Sequence, residues 1–153
     1  MISVNVFSEE KAWSKKLKKK EFFFKKICNA FPKKYKFTNK KVILTLLLSN
    51  NRNIKKLNKY FRKKNKPTDI LSFPSGDKFT LSKQSYIGDI IISYNFMNES
   101  KLKNQESFQQ KLAKTFIHGF LHLLGHDHIR NKDYQKMLKE EERIYKSVIS
   151  KLS

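Results

Sequence analysis

Val42-Ile43-Leu44-Thr45-Leu46-Leu47-Leu48 is the longest nearly unbroken apolar run in the chain. Seven residues are too few for a buried helix and far short of the roughly 20 needed to cross a bilayer. A run of this length reads as a strand covered on both faces, the kind that sits inside a sheet flanked by helices. Its neighbours extend that reading. On the N-terminal side, Ile2, Val4 and Val6 alternate as in a short strand. On the C-terminal side, residues 50–62 place Ile54, Leu57 and Phe61 at helical spacing and end before the basic loop 63–66 and Pro67. Asp69-Ile70-Leu71-Ser72-Phe73-Pro74 is a short strand stopped by proline, and Ile87-Gly88-Asp89-Ile90-Ile91-Ile92-Ser93 is another. Residues 75–86 between them read as a loop or loose hairpin connection.

Residues 9–31 suit one amphipathic helix with Trp13, Leu17, Phe24, Ile27 and Phe31 on its apolar face. Leu112, Phe116, Phe120 and Leu123 share a face of a helix that starts near Glu106. Asn131 is placed to cap a last helix carrying Met137, Leu138, Ile144 and Val148. Helices and strands therefore interleave. The expected fold is α/β (α+β), a single compact domain over residues 1–153, with a mixed sheet of about four strands packed with about five helices.

Composition narrows the function. The chain has 153 residues, 34 Lys+Arg against 13 Asp+Glu, and a net charge of +21. At 39% hydrophobic it can build a core, so it is not a disordered polyelectrolyte. Its opening residues show no positive stretch followed by an apolar one, so no export signal or membrane anchor is read. Cys28 is the only cysteine, which excludes an internal disulfide and a cysteine-built zinc site and points to the cytoplasm. The charge favours a polyanionic partner. Lysine supplies 30 of the 34 cations, a bias that coding composition can produce, so a scarce residue such as Arg62 says more than any single lysine. Residues 11–41, with 13 Lys and the single acid Glu21, read either as a phosphate-tracking face or as a solvated helix face.

All four histidines lie in one segment, His118-Gly119-Phe120-Leu121-His122-Leu123-Leu124-Gly125-His126-Asp127-His128. His118 and His122, four apart, share one helical face. Gly125 can end the helix in a left-handed conformation, and His128 can then return to complete a three-imidazole face. Three neutral imidazoles suit Zn²⁺ and leave one position for water, whereas a structural zinc would need a fourth protein ligand, here His126 or Asp127. If the helix continued past Gly125, His126 would compete with His128. Asp127 reads equally as an orienting carboxylate or as a loop residue. The spacing matches a metalloprotease signature, but Gly119 stands where that chemistry needs a glutamate base, which argues against peptide hydrolysis.

Three blocks together resemble the YbeY family of bacterial rRNA-maturation endoribonucleases. They are the histidine segment, the stretch from Leu57 to Pro74 containing Pro67-Thr68-Asp69-Ile70-Leu71-Ser72-Phe73-Pro74, and Gly88-Asp89-Ile90-Ile91-Ile92-Ser93. Order and spacing hold from about Asn50 to the C-terminus. Asn65, where the family usually has Asp, and His126, where Tyr is common, depart from the pattern without removing a ligand. The resemblance implies one zinc held by His118, His122 and His128 beside a basic cleft, with Arg62 binding or helping to cleave RNA. It further implies a single-strand-specific, zinc-dependent endoribonuclease of the cytoplasm, with no membrane role and no DNA specificity. Its substrate would be the 3′ end of 16S rRNA, its partner the small ribosomal subunit, and its wider role ribosome quality control. The alternatives are a ribosome assembly factor that binds rRNA with a mainly structural metal, and a hydrolase of some other substrate.

Overall fold

The computed structural model describes residues 1–76, 84–99 and 105–152, with side chains of its long fifth helix from residue 107 onward. Four strands, β1 (Ile2–Ser8), β2 (Lys41–Ser49), β3 (Ile70–Pro74) and β4 (Gln84–Ser93), form one sheet in the order β1-β2-β4-β3. β1, β2 and β4 run parallel, and β3 pairs antiparallel with β4 at the edge. The expected mixed sheet is therefore present. The connection expected at 75–86 falls largely on residues 77–83, outside the described residues.

The helices are α1 (Trp13–Lys16), α2 (Lys20–Asn29), α3 (Asn51–Arg62), α4 (Tyr94–Met97), α5 (Gln105–Leu123) and α6 (Asn131–Ile149). The described residues thus hold six helices where about five were expected, because two of them are single turns. The helix expected over 9–31 is split. Leu17 takes extended backbone angles and Lys19 non-helical ones between α1 and α2. A continuous helix would stack Lys15 on Lys19 and Lys16 on Lys20, like charges one turn apart. The break also lets Trp13 be held in place, its indole N–H donating to the Ser49 carbonyl at 2.9 Å. All five residues assigned to the apolar face are nonetheless buried.

β2 carries the main core on one face only. Val42, Leu44, Leu46 and Leu48 are fully buried under α2, α5 and α6, while Ile43, Thr45 and Leu47 are half-buried. The expectation of cover on both faces is corrected here. Among the described residues the second face receives α3, through a small cluster of Ile54, Leu71 and Ile91 that Leu47, Leu57 and Phe73 join. Beyond the reach of α3, Thr45 meets the Tyr86 hydroxyl at 2.7 Å on an exposed part of the sheet. Two smaller expectations also shift. Asn131 is the first residue of α6 rather than its cap, which is Arg130. Leu138 is partly exposed.

α5 is apolar nearly all round, with Phe108, Leu112, Ala113, Phe116, Ile117, Phe120 and Leu121 buried, as a central helix must be. It lies between α6 and the β3–β4 edge. Its closest approach to the sheet is at Gly119. A Cβ there would stand 2.6 Å from Ile70 Cδ1 and 3.1 Å from Ser72 Oγ. This close packing places the end of α5 against β3, and so against the loop and helix that precede β3.

Candidate metal centre

The histidines on α5 are presented by helical spacing and by the way the helix stops. Gly125 adopts φ +97°, a conformation that favours glycine. The His126 N–H bonds back to the Leu121 carbonyl at 3.1 Å and the Gly125 N–H to the His122 carbonyl at 3.0 Å. These bonds satisfy the last helical carbonyls and reverse the chain. Residues 126–128 then fold back, and the His128 ring lies 5.0 Å from His122 and 5.6 Å from His118, centroid to centroid. Asp127 Oδ1 accepts from the Ile129 N–H at 3.3 Å, so its carboxylate shapes the loop.

His118, His122 and His128 each offer a ring nitrogen within 4.8 Å of the others. His126, the possible competitor, contributes its backbone instead: its carbonyl accepts from His122 Nδ1 at 2.9 Å. His118 Nδ1 donates to the Glu141 carboxylate on α6. With both Nδ1 atoms acting as donors, neither Nε2 carries a proton in the neutral rings. Those two Nε2 atoms face each other at 3.1 Å. Two lone pairs at that separation repel unless a cation lies between them. Nitrogens sharing a metal at about 2.0–2.1 Å in a tetrahedral arrangement stand at a comparable spacing. The donor set therefore fits a metal ion of the zinc type.

Burial pushes the His122 pKa down to about 4, helped by the neighbouring His118, His128 and Arg62 and opposed by the bond to the His126 carbonyl. His122 is thus neutral, the form that binds metal, across the physiological range. A stability consequence follows for the metal-free protein. The folded state holds this imidazole below its usual value near 6.5, so between about pH 4 and 6.5 the unfolded chain binds more protons. His122 contributes stability above that window and loses it as pH falls through it. Urea midpoints measured with chelator present should rise from pH 4 to 6.5, and His122→Gln should flatten this segment. An unchanged profile in the variant would refute the assignment.

Glu141 was not among the candidate residues, although three of the chain's 13 acids stand together at 140–142 in a strongly basic protein. That clustering was the available signal. Glu140 turns inward toward Lys34, at 3.4 Å, while Glu141 faces His118. A carboxylate behind a ligating histidine fixes its tautomer and orientation, and its loss typically weakens metal binding about 10- to 100-fold. Glu141→Ala should show a drop of that size in metal affinity with helix content unchanged. Equal affinities by competition with a chromophoric chelator would count against it.

Arg62 ends α3 and reaches the same region. Its guanidinium donates to the Ser72 carbonyl at 3.3 Å, and Ser72 Oγ in turn donates to the Gly119 carbonyl at 3.3 Å. The loop after α3 is tied down by buried Asn58, whose amide donates to the Lys66 carbonyl at 2.9 Å. Arg62 is otherwise exposed, so its charge is available to an anion at the edge of the three histidines.

Fold and site together define an α/β protein with three histidines that could hold a metal ion at the end of its central helix and a basic helix beside them. The model of the family described as endoribonuclease YbeY matches residues 5–149. The chain belongs to that family. It is 60% identical to the endoribonuclease YbeY of Pelagibacter ubique over 153 residues, all of both chains. It is 40% identical to that of Buchnera aphidicola over 129 residues, covering 84% of this chain and 81% of the other. The solution structure of a Thermotoga maritima protein superposes with a TM-score of 0.58 at 26% identity, covering 95% of this chain and 88% of that one. Among the described residues no helix is long and apolar enough to cross a membrane.

Proposed function

We propose that this chain is a zinc-dependent, single-strand-specific endoribonuclease of the cytoplasm. In this reading it processes the 3′ end of 16S rRNA late in small-subunit maturation and contributes to ribosome quality control. The observation that carries the reading is the convergence of His118, His122 and His128 with Arg62 at their edge, in a chain of the endoribonuclease YbeY family with a net charge of +21.

His118, His122 and His128 would hold the zinc. Bound there, it supplies Lewis acidity and a lowered pKa for water. Arg62 offers a planar fork that binds the scissile phosphate and stabilises charge developing on its oxygens. Glu141 holds His118 in the tautomer that leaves Nε2 free. Gly119 packs on the sheet, so α5 presents no carboxylate base at the position a peptidase of this spacing uses. This supports RNA over peptide as the substrate. The group of three histidines, without a fourth protein ligand among the described residues, favours a catalytic over a purely structural metal.

The test is cleavage of an rRNA 3′-end precursor by purified protein, with and without a zinc chelator. Cleavage should vanish with chelator and return with added zinc. Arg62→Ala should lower kcat/KM by about 100-fold or more, the usual effect of removing one charge-stabilising donor, with the metal retained. Cleavage indifferent to both changes would refute the reading and favour the assembly factor.

A further inference from the structure

Helical spacing assigns Phe61 to the apolar face of α3, yet it is 55% exposed, and Tyr60 beside it is 72% exposed. Their rings are nevertheless ordered against one another. Tyr60 meets Phe61 edge to face at 4.7 Å and 80°. Phe61 leans on Phe73 of β3 at 5.0 Å and 58°. Phe73 is half-buried and belongs to the small cluster beneath α3. Three rings thus climb from the core to the surface, rooted at Phe73 and ending at Tyr60.

This ladder shares its footing with the site. Phe73 follows Ser72, whose carbonyl receives Arg62 and whose hydroxyl reaches Gly119 on the histidine-bearing helix. The surrounding charge is one-sided. Residues 51–66 carry eight cations, Arg52, Arg62 and six lysines, all exposed, and no acid. Such a field repels a basic partner and leaves the charges of this face unanswered by a neutral apolar one. It suits a single-stranded polyanion with exposed bases, whose phosphates meet the cations while a base stacks on the rings.

We propose that Tyr60 and Phe61 form a stacking platform for one unpaired nucleobase of the RNA, next to the three-histidine site. The assignment rests on the endoribonuclease reading. The platform selects unpaired strands, because a base held in a duplex cannot lie on the rings. It also sets the register of the strand along α3 relative to Arg62. Every base has a π-face, so the platform itself reads no sequence.

The test uses Tyr60→Leu and Phe61→Leu, the second chosen to keep apolar packing on Phe73. Binding is measured by fluorescence anisotropy with a labelled single-stranded oligoadenylate RNA and with the same sugar–phosphate strand made abasic throughout. RNA cleavage is measured in parallel. Each variant should bind the complete strand about 5- to 100-fold more weakly, the effect of losing one stacked base. The difference should vanish on the abasic strand. The salt dependence should be unchanged, whereas Lys59→Ala should reduce the slope of log affinity against log salt by about 0.7. Variants that bind and cleave like the wild type, or that lose as much affinity for the abasic strand as for the complete one, overturn the platform alone. A wild type that neither binds nor cleaves RNA overturns the endoribonuclease reading and the platform with it.

Discussion

His122→Ala should lower RNA cleavage about a thousandfold and release the metal while leaving the protein folded. The size follows from the charge stabilisation a bound divalent ion supplies, several kcal/mol in the transition state, where each 1.4 kcal/mol is tenfold. Two of the three ligands would remain, but the geometry needs His122 in particular. Its Nε2 is the partner that faces His118 at 3.1 Å, and its Nδ1 is locked by the His126 carbonyl. The fold should survive, because alanine is the best helix former and His122 points to a partly open site rather than into the core. Metal content by mass spectrometry, a thermal melt and cleavage of the rRNA precursor check the three parts. A variant that keeps full cleavage would remove the histidines from the mechanism. One that loses metal but keeps activity would make the metal structural.

Gly119→Glu should destabilise the protein by roughly 3 kcal/mol or more and should create no peptidase. The substitution completes the metalloprotease spacing on paper, with glutamate between His118 and His122. In the fold, however, a Cβ at this position would stand 2.6 Å from Ile70 Cδ1, 3.1 Å from Ser72 Oγ and 3.3 Å from Ile90 Cδ1, side-chain ends that must shift to admit anything larger than hydrogen. Overpacking of this kind costs about 1–3 kcal/mol, and a carboxylate placed between helix and sheet adds the cost of burying a charge without a partner. α5 would have to lift from β3, weakening the Ser72 to Gly119 bond that links the histidine helix to Arg62. Cleavage of RNA should therefore fall along with the denaturation midpoint. Gly119→Ala should lie between the two. A Gly119→Glu protein as stable as the wild type would show that the helix is not seated on the sheet as described.

Much of this molecule was legible in its residue pattern because the relevant physics is local. The apolar run at residues 42–48 had to be a sheet strand, and the 3.6-residue spacing of Leu112, Phe116 and Phe120 had to be a buried helix face. The four-residue spacing of His118 and His122 puts two imidazoles on one side of a helix whatever surrounds it. Gly125 marked the turn that brings His128 back, since few other residues accept that backbone conformation. Arg62 stood out as one of four arginines among 34 cations.

What the pattern left open depended on residues far apart in the chain. The break after Lys16 accompanies the docking of Trp13 on Ser49, 36 positions away. Among the described residues, Ile43, Thr45 and Leu47 of β2 are only half-buried because α3 packs toward the β3–β4 side, a matter of strand order. Gly119 reads as a missing base in sequence, and in the fold it sits where a side chain would press on Ile70 and Ser72. Glu141 gains its place behind His118 only when α6 folds against α5, 23 residues on. Periodicity reports which way a side chain faces along its own helix or strand. It carries no information on which distant element will occupy the space it faces, and that occupancy fixes the tautomers, the charge and the access of this site.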